Sequence, residues 1–307
     1  MAYRTMQRKQ RKASIMILGK SGKGKSYLAL RLAYALSKHE WSKVYASDTE
    51  QGSLDLADGV QLYDGCTCEG INISDINPAE VQASTFLADR DEAKKLGGVV
   101  HIIDSTTHAW NNLLNVVNKL DADNAKLNKF NAWGQPEVMY EKNVLGNNLW
   151  RDEAIHCITT VRLKDKVIMN PDTKEVSKMF DAPVMQEQAV YEPDLVLQMV
   201  QAGTATTNPI AKVIKSRYAP FIEGQTIEFS AEMCEVIVQY LDEGATPEDM
   251  TAKVAQQYID SIAQLIKDSK AKQIKLKGLY KSMNIEDGTK LTALDVEQLS
   301  NIYNSLK

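Results

Sequence analysis

Nine residues near the amino end carry the densest chemistry in the chain: Gly19, Lys20, Ser21, Gly22, Lys23, Gly24, Lys25, Ser26 and Tyr27, reading GKSGKGKSY. Gly19, Gly24, Lys25 and Ser26 fit the spacing G-x-x-x-x-G-K-[ST] of a nucleotide phosphate loop. Glycines there let backbone N–H groups curl around a phosphate with no Cβ in the way. A following helix turns its positive end toward the same anion. In such a loop Lys25 would reach the β- and γ-phosphates and the Ser26 hydroxyl would ligate Mg²⁺. A solvated lysine-rich turn shares the composition but has no reason to share the spacing.

Two carboxylates complete the expected chemistry. Asp104 closes the apolar run VVHIID, and an acid at the carboxyl end of a strand beside a phosphate loop can hold a Mg²⁺-bound water. The alternative for Asp104 is a cap on the next helix. Glu50 ends the stretch YASDTE, where a carboxylate could activate the water that attacks a γ-phosphate. Asp48, two residues earlier on the same side of a strand, is its rival, and spacing leaves the choice open.

These residues need elements to hold them. ASIMILG reads as a buried strand and SYLALRLAYALSK, apolar at helical spacing, as the helix after the loop. SKVYASDTE reads as a second strand, and residues 62–81 as a loop with short strands. Residues 78–96 read as a helix with proline in its first turn. VVHIID reads as a central parallel strand, and residues 107–120 and 137–154 as helices. AIHCITTVRLKDKV reads as a strand, and KVIMNPDTKEVSKMF as a hairpin around Asn170-Pro171-Asp172. DLVLQMVQ and PIAKVIKSRY are two further strands, followed by a helix at 230–241. Strands and helices that alternate in this way predict a doubly wound α/β fold with a mostly parallel sheet and an antiparallel extension after residue 155. The expected organisation is a basic arm at 1–13, a core at 14–241, the acidic linker DEGATPED, and a separate small all-helical domain at 247–307.

Composition sets the outer bounds. The chain has 307 residues, 25% charged and 44% apolar, with net charge −4. That balance gives no global footprint of a nucleic-acid binder, so any such contact must be a local patch. No run approaches 18 consecutive apolar residues and no signal peptide is evident, so no membrane partner is expected. MAYRTMQRKQRK carries five cations and no acid, as a solubilising arm or an electrostatic one would. Cys66 and Cys68 have no second pair nearby for a zinc site, and Cys157 and Cys234 lie in apolar patterns; this usage fits a reducing cytoplasm.

With these motifs assembled, a family resemblance emerges. YASDTEQGSLDL, HIIDSTTHAW, CITTVRLKDK and AKVIKSRYAPF follow the order and approximate spacing of the bacterial recombinase RecA over about residues 14 to 230. The chain resembles more closely the short RecA-like ATPases of phages, including the Sak-type single-strand annealing proteins. The resemblance implies a RecA-like P-loop ATPase core, ATP and Mg²⁺, single-stranded DNA as partner, and work beside a single-stranded DNA-binding protein. It also implies a homo-oligomer, ring or filament. Position by position, it places Glu50 at the water-activating glutamate, Asp104 at the Mg²⁺-binding acid, and Thr160 where a glutamine senses the γ-phosphate, with Arg162 in the matching place after it. Lys215 and Arg217 match a pair of cations that reaches the neighbouring subunit's nucleotide; on strand spacing alone they are alternate solvent-facing residues of an edge strand. Lys164, Lys166, Lys174 and Lys178 fall in the region of a DNA-binding loop, which a solvated lysine-rich hairpin would equally resemble.

Two departures stand out. Threonine is too short to span γ-phosphate and DNA loop as the glutamine does. About a dozen polar residues precede the first strand, fewer than RecA's amino-terminal packing element. The expected function is ATP-dependent action on single-stranded DNA in recombination or annealing. The alternatives are a replication loader or accessory ATPase working through protein partners, and a nucleotide-gated binding module with negligible turnover.

Overall fold

In the computed structural model, the described residues are 11–307 apart from 64, 124–128, 170–175, 243–246, 268 and 287. The first strand, β1 (Ser14–Gly19), runs straight into the glycine loop and α1 (Lys25–Leu36). Next come β2 (Val44–Asp48), the short β3 (Gln61–Tyr63), β4 (Cys66–Thr67) and β5 (Asn72–Asp75), then α2 (Ala83–Lys95) and β6 (Val100–Asp104). The helices α3 (Thr106–Asp123), α4 (Lys129–Trp133) and α5 (Pro136–Gly146) precede the long β7 (His156–Met169) and its partner β8 (Val176–Pro183). The core continues through β9 (Leu195–Gln201), β10 (Ile210–Ser216), β11 (Thr226–Glu228) and α6 (Ala231–Asp242). It is followed by α7 (Pro247–Lys267), α8 (Lys270–Ser282) and α9 (Val296–Leu306).

The main sheet runs β11-β10-β9-β1-β7-β6-β2-β5, with β8 pairing to β7 off this path. From β9 to β5 the pairs are parallel; β10, β11 and β8 add antiparallel pairs. This is the expected α/β class with a mostly parallel sheet. The alternation of β1 explains its two faces. Ile15 and Ile17 join α1 and α6 in one apolar cluster. Met16 and Leu18 join Phe86 of α2, Leu113 of α3 and Leu145 of α5 in the other. Both faces of β1 are therefore covered, which is why its sequence is continuously apolar.

Local departures from the sequence reading have identifiable causes. The helix expected from residue 78 begins at Ala83. Asn77 accepts a bond from the Ala79 N–H, and the Asn112 amide donates to the carbonyls of Pro78 and Val81, so residues 77–81 form a turn held from α3. The helix expected over 137–154 stops at Gly146, and a short 3₁₀ turn, Asn148–Trp150, follows. The three-residue β11 is too short to leave a sequence signal. The apex expected at Asn170-Pro171-Asp172 lies outside the described residues, but its flanks pair antiparallel from Leu163↔Pro183 to Met169↔Val176.

The carboxyl-terminal helices are amphipathic, and strands are absent from their described residues. Their apolar faces join the core: Tyr258, Ile262, Leu299, Ile302 and Leu306 share one cluster with Ile227, Phe229 and Met233. Polar contacts reinforce that seam. The Gln225 amide donates to the Tyr258 hydroxyl, which donates to the Thr226 carbonyl at 3.1 Å, and Tyr303 donates to Glu228 at 3.1 Å. No helix among the described residues is long and apolar enough to cross a membrane.

Candidate nucleotide site

The loop from Gly19 to Ser26 has the shape its glycines suggest. Gly22 and Gly24 take left-handed φ values of 72° and 81°. At Gly24 space also forbids a side chain, because a Cβ would lie 2.9 Å from the backbone of Ala202. At Gly19 a Cβ would meet Lys25 Cγ at 3.1 Å and Met199 Cβ at 3.2 Å. Lys25 is buried and donates to the Lys20 carbonyl at 3.3 Å. Burial lowers the pKa of its ammonium, and the nearby Asp104 and Glu50 carboxylates partly offset that effect. Ser21, Gly22 and Lys23 are exposed. Tyr27, expected in the cradle, aims its hydroxyl at the carbonyl of Leu62 on β3.

Asp104 sits 1% exposed at the carboxyl end of β6. The Ser26 hydroxyl donates to its Oδ2 at 2.5 Å, and the Thr160 hydroxyl donates to its Oδ1. Sheet order explains this meeting. Strand β7 lies between β1 and β6, with Thr160 beside Ile17 and Thr159 beside Ile103. Thr160 is fully buried, so its side chain braces Asp104. The Asp104–Ser105 peptide is cis. Thr49 secures the neighbouring backbone: its hydroxyl accepts from the Ser105 N–H at 2.9 Å and meets Nδ1 of His108 at 2.8 Å. Burial chiefly lowers the pKa of His108.

The two rival carboxylates have different surroundings. Asp48, 1% exposed, accepts from the backbone N–H of Glu50 at 2.6 Å and of Leu54 at 3.2 Å, one bond on each oxygen. It organises the turn after β2, and burial raises its pKa. Glu50 leaves that turn toward Ser105 and β7. Its Oε1 accepts from Ser105 Oγ at 3.0 Å and Arg162 Nε at 2.9 Å, and its Oε2 accepts from Arg162 Nη2. Burial tends to raise the Glu50 pKa, but the bonds and charge of Arg162, with Ser105 and His108, outweigh it and hold the carboxyl below its usual range. Residues 160 and 162 share a face of β7 by alternation. The resemblance alone placed Arg162 here, and this alternation is the signal in the residues themselves that ties it to Thr160.

The remaining candidates lie elsewhere. The Lys215 ammonium donates to the carbonyls of Tyr191 and Pro193, and burial lowers its pKa. Arg217 donates to the carbonyls of Glu192 and Tyr191 and to Asp194 Oδ1. Within one chain, both brace the connection before β9 and stay apart from the Ser26–Asp104 cluster. Lys164 and Lys166 are exposed on β7. Lys174, and the side chain of Lys178, lie outside the described residues. One contact had no sequence signal: Lys20, inside the loop, pairs with Asp165 at 2.7 Å and Asp181 at 3.2 Å, at the root of the β7–β8 hairpin.

The residues present suit a nucleotide with Mg²⁺. Gly19 and Gly24 let the loop pack where a Cβ would strike Met199 and Ala202, a buried lysine stands in the loop, and the Ser26 hydroxyl and Asp104 carboxylate form an oxygen donor pair of the kind Mg²⁺ prefers.

No protein-family model matches the chain, and no curated protein matches it. Among solved structures, a KaiC-like protein from the hyperthermophilic archaeon Pyrococcus horikoshii is 13% identical, over 67% of this chain and 80% of its own, with a TM-score of 0.37. The flagellar accessory protein FlaH from Methanocaldococcus jannaschii is 16% identical, over 72% of this chain and 85% of its own, with a TM-score of 0.38. Likeness at this level carries no functional weight, and the fold class stands on the strand order and loop geometry described above.

Proposed function

We propose that the chain is a RecA-like, Mg²⁺-dependent ATPase that acts on single-stranded DNA, in recombination or annealing of the kind phages carry out, as a homo-oligomer. The observation that carries the nucleotide reading is the Ser26–Asp104 hydrogen bond, which joins the end of the phosphate loop to the acid of β6. The DNA part rests on the ordered RecA-like motifs and on the exposed Lys164 and Lys166 of the β7–β8 hairpin.

In this reading the loop N–H groups and Lys25 hold the phosphates, and Lys25 offsets their mutual repulsion. Ser26 and Asp104 hold Mg²⁺, which supplies charge neutralisation on the transferring phosphoryl group. Thr160 keeps Asp104 oriented through its other oxygen. Glu50 accepts a proton from the attacking water, a role its rival Asp48 is poorly placed to take because it is buried in its own turn, 1% exposed, whereas the Glu50 side chain is 19% exposed.

A second reading is favoured by one observation. Glu50 is held on both oxygens by Arg162, with Ser105 a third donor, as it would be in a nucleotide-gated module with little turnover. Phosphate release from ATP, measured with and without single-stranded DNA and compared with Glu50→Gln, tests both. DNA-stimulated turnover that Glu50→Gln abolishes supports the ATPase. ATP binding without turnover under either condition supports the gated module.

A further inference from the structure

A carboxylate that takes a proton from water needs a free lone pair facing that water. Glu50 has three of its roughly four acceptor sites taken and is held in the direction of β7. Arg162 grips both of its oxygens in fork geometry, and Ser105 adds a third donor. Charge-assisted, two-pronged bonds of this kind are the strong ones. The gripping residue sits where β7 passes from its last pairing with β1, Gly19↔Arg162, into the hairpin. Arg162 lies one residue before β7 begins its antiparallel pairing with β8 at Leu163↔Pro183. Beyond it the strand exposes Lys164, Lys166, Val167 and Met169, the last two 54% and 58% exposed. Two exposed lysines, with Asp165 between them held by Lys20, followed by two exposed apolar side chains suit an anionic, base-bearing polymer, with the cations on phosphates and the apolar groups against bases. The Lys20 pairs with Asp165 and Asp181 tie the same hairpin root to the phosphate loop.

We propose that Arg162 is a positioning residue that holds Glu50 off the attacking water in the resting chain, and that single-stranded nucleic acid on the β7–β8 hairpin draws Arg162 away and frees Glu50. This rests on the ATPase reading above and adds its control: the hairpin and the water-activating carboxylate are opposite ends of one ion pair. Lys164 and Lys166 lie two and four residues along the same strand from Arg162, so a ligand that displaces the strand displaces the guanidinium with it.

The test is Arg162→Gln, with Arg162→Lys as the conservative partner, in the full chain. When the minor, free form of Glu50 is about 10% of molecules or less, removing the grip raises kcat without DNA about tenfold or more. The KM for ATP stays near the wild-type value and stimulation by an oligothymidylate shrinks. Arg162→Lys should restore part of the restraint, and adding Glu50→Gln to Arg162→Gln should return turnover to the floor. A second readout does not depend on turnover. Mass spectrometry of carbodiimide-labelled protein should show Glu50 more reactive in Arg162→Gln, and in the wild type when the oligothymidylate and a non-hydrolysable ATP analogue are added together. A wild type that hydrolyses ATP beside an Arg162→Gln that is no faster, or whose Glu50 labelling is unchanged, overturns the restraint and leaves the ATPase reading intact. Failure of both proteins to bind ATP overturns the ATPase reading itself.

Discussion

At the scale of single residues, the site depends on a few charges whose surroundings differ sharply. Lys25 is buried among a carbonyl and two carboxylates, so replacing it leaves the phosphate repulsion uncompensated. Lys25→Ala should weaken ATP binding by roughly 10- to 150-fold, the range of one charge-assisted bond, measured by titration of a fluorescent ATP analogue. Glu50 and Asp48 separate on stability as well as on rate. Glu50→Gln should bind ATP normally and hydrolyse it about 10²–10⁴-fold more slowly. Asp48→Asn should chiefly lower the melting temperature, because it weakens the bonds that hold the turn at Glu50 and Leu54. Loss of turnover in Asp48→Asn at unchanged stability would move the water-activating role to Asp48. Arg31 is a purely structural charge by comparison. Only 1% exposed, it donates to Asn208 at 2.6 Å, to the Phe229 carbonyl at 2.9 Å and to the Leu62 carbonyl. Arg31→Met should destabilise the chain by about 2–4 kcal/mol, since it leaves buried acceptors unpaired, as read by denaturant unfolding.

At the scale of elements, β7 matters most. It braces Asp104 through Thr160, grips Glu50 through Arg162, and continues past its parallel pairs as an exposed strand of mixed charge in the hairpin with β8. Neutralising Lys164 and Lys166 should weaken binding to single-stranded DNA and flatten its dependence on log salt by roughly 0.7 for each phosphate that the hairpin no longer neutralises. Fluorescence anisotropy at several salt concentrations measures that slope. An unchanged slope would mean that DNA, if bound, is held elsewhere. The acidic partners of Lys20 on the same hairpin explain how a strand of mixed charge remains anchored at its root.

At the scale of the whole molecule, the carboxyl-terminal helices and the approach of neighbouring subunits set the expectations. The helices cover Ile227, Phe229 and Met233, far along the sheet order from β6. A chain ending at residue 244 should therefore keep its affinity for ATP while losing thermal stability and gaining a tendency to aggregate from the uncovered apolar surface. Calorimetry and analogue binding on the same sample check both halves. Lys215 and Arg217 brace their own chain, yet the family resemblance aims such cations at a neighbour's nucleotide. If sites are shared, mixing inactive Glu50→Gln with inactive Lys215→Ala, Arg217→Ala should restore activity at about a quarter of interfaces, as random head-to-tail assembly allows. No recovery in demonstrably mixed oligomers would confine both cations to a bracing role.

What the sequence determined by itself was whatever depends on near neighbours along the chain. The phosphate loop was legible because its residues must be adjacent to wrap one anion, and β1, β6, β9 and β10 because burial leaves a short-range apolar pattern. Asp104 was legible because it ends such a strand. The tertiary structure decided what depends on sheet order. Nothing local in residues 48–50 distinguishes a carboxylate that caps its own turn from one that reaches across the site; that followed only once the backbone N–H groups of Glu50 and Leu54 were seen on Asp48. Thr160 braces Asp104 because β7 lies between β1 and β6, an adjacency no local pattern encodes. The pairs Glu50–Arg162 and Lys20–Asp165 span more than a hundred residues. Their physical basis is the approach of strand ends in a folded parallel sheet, where charges far apart in sequence come within bonding distance at one edge.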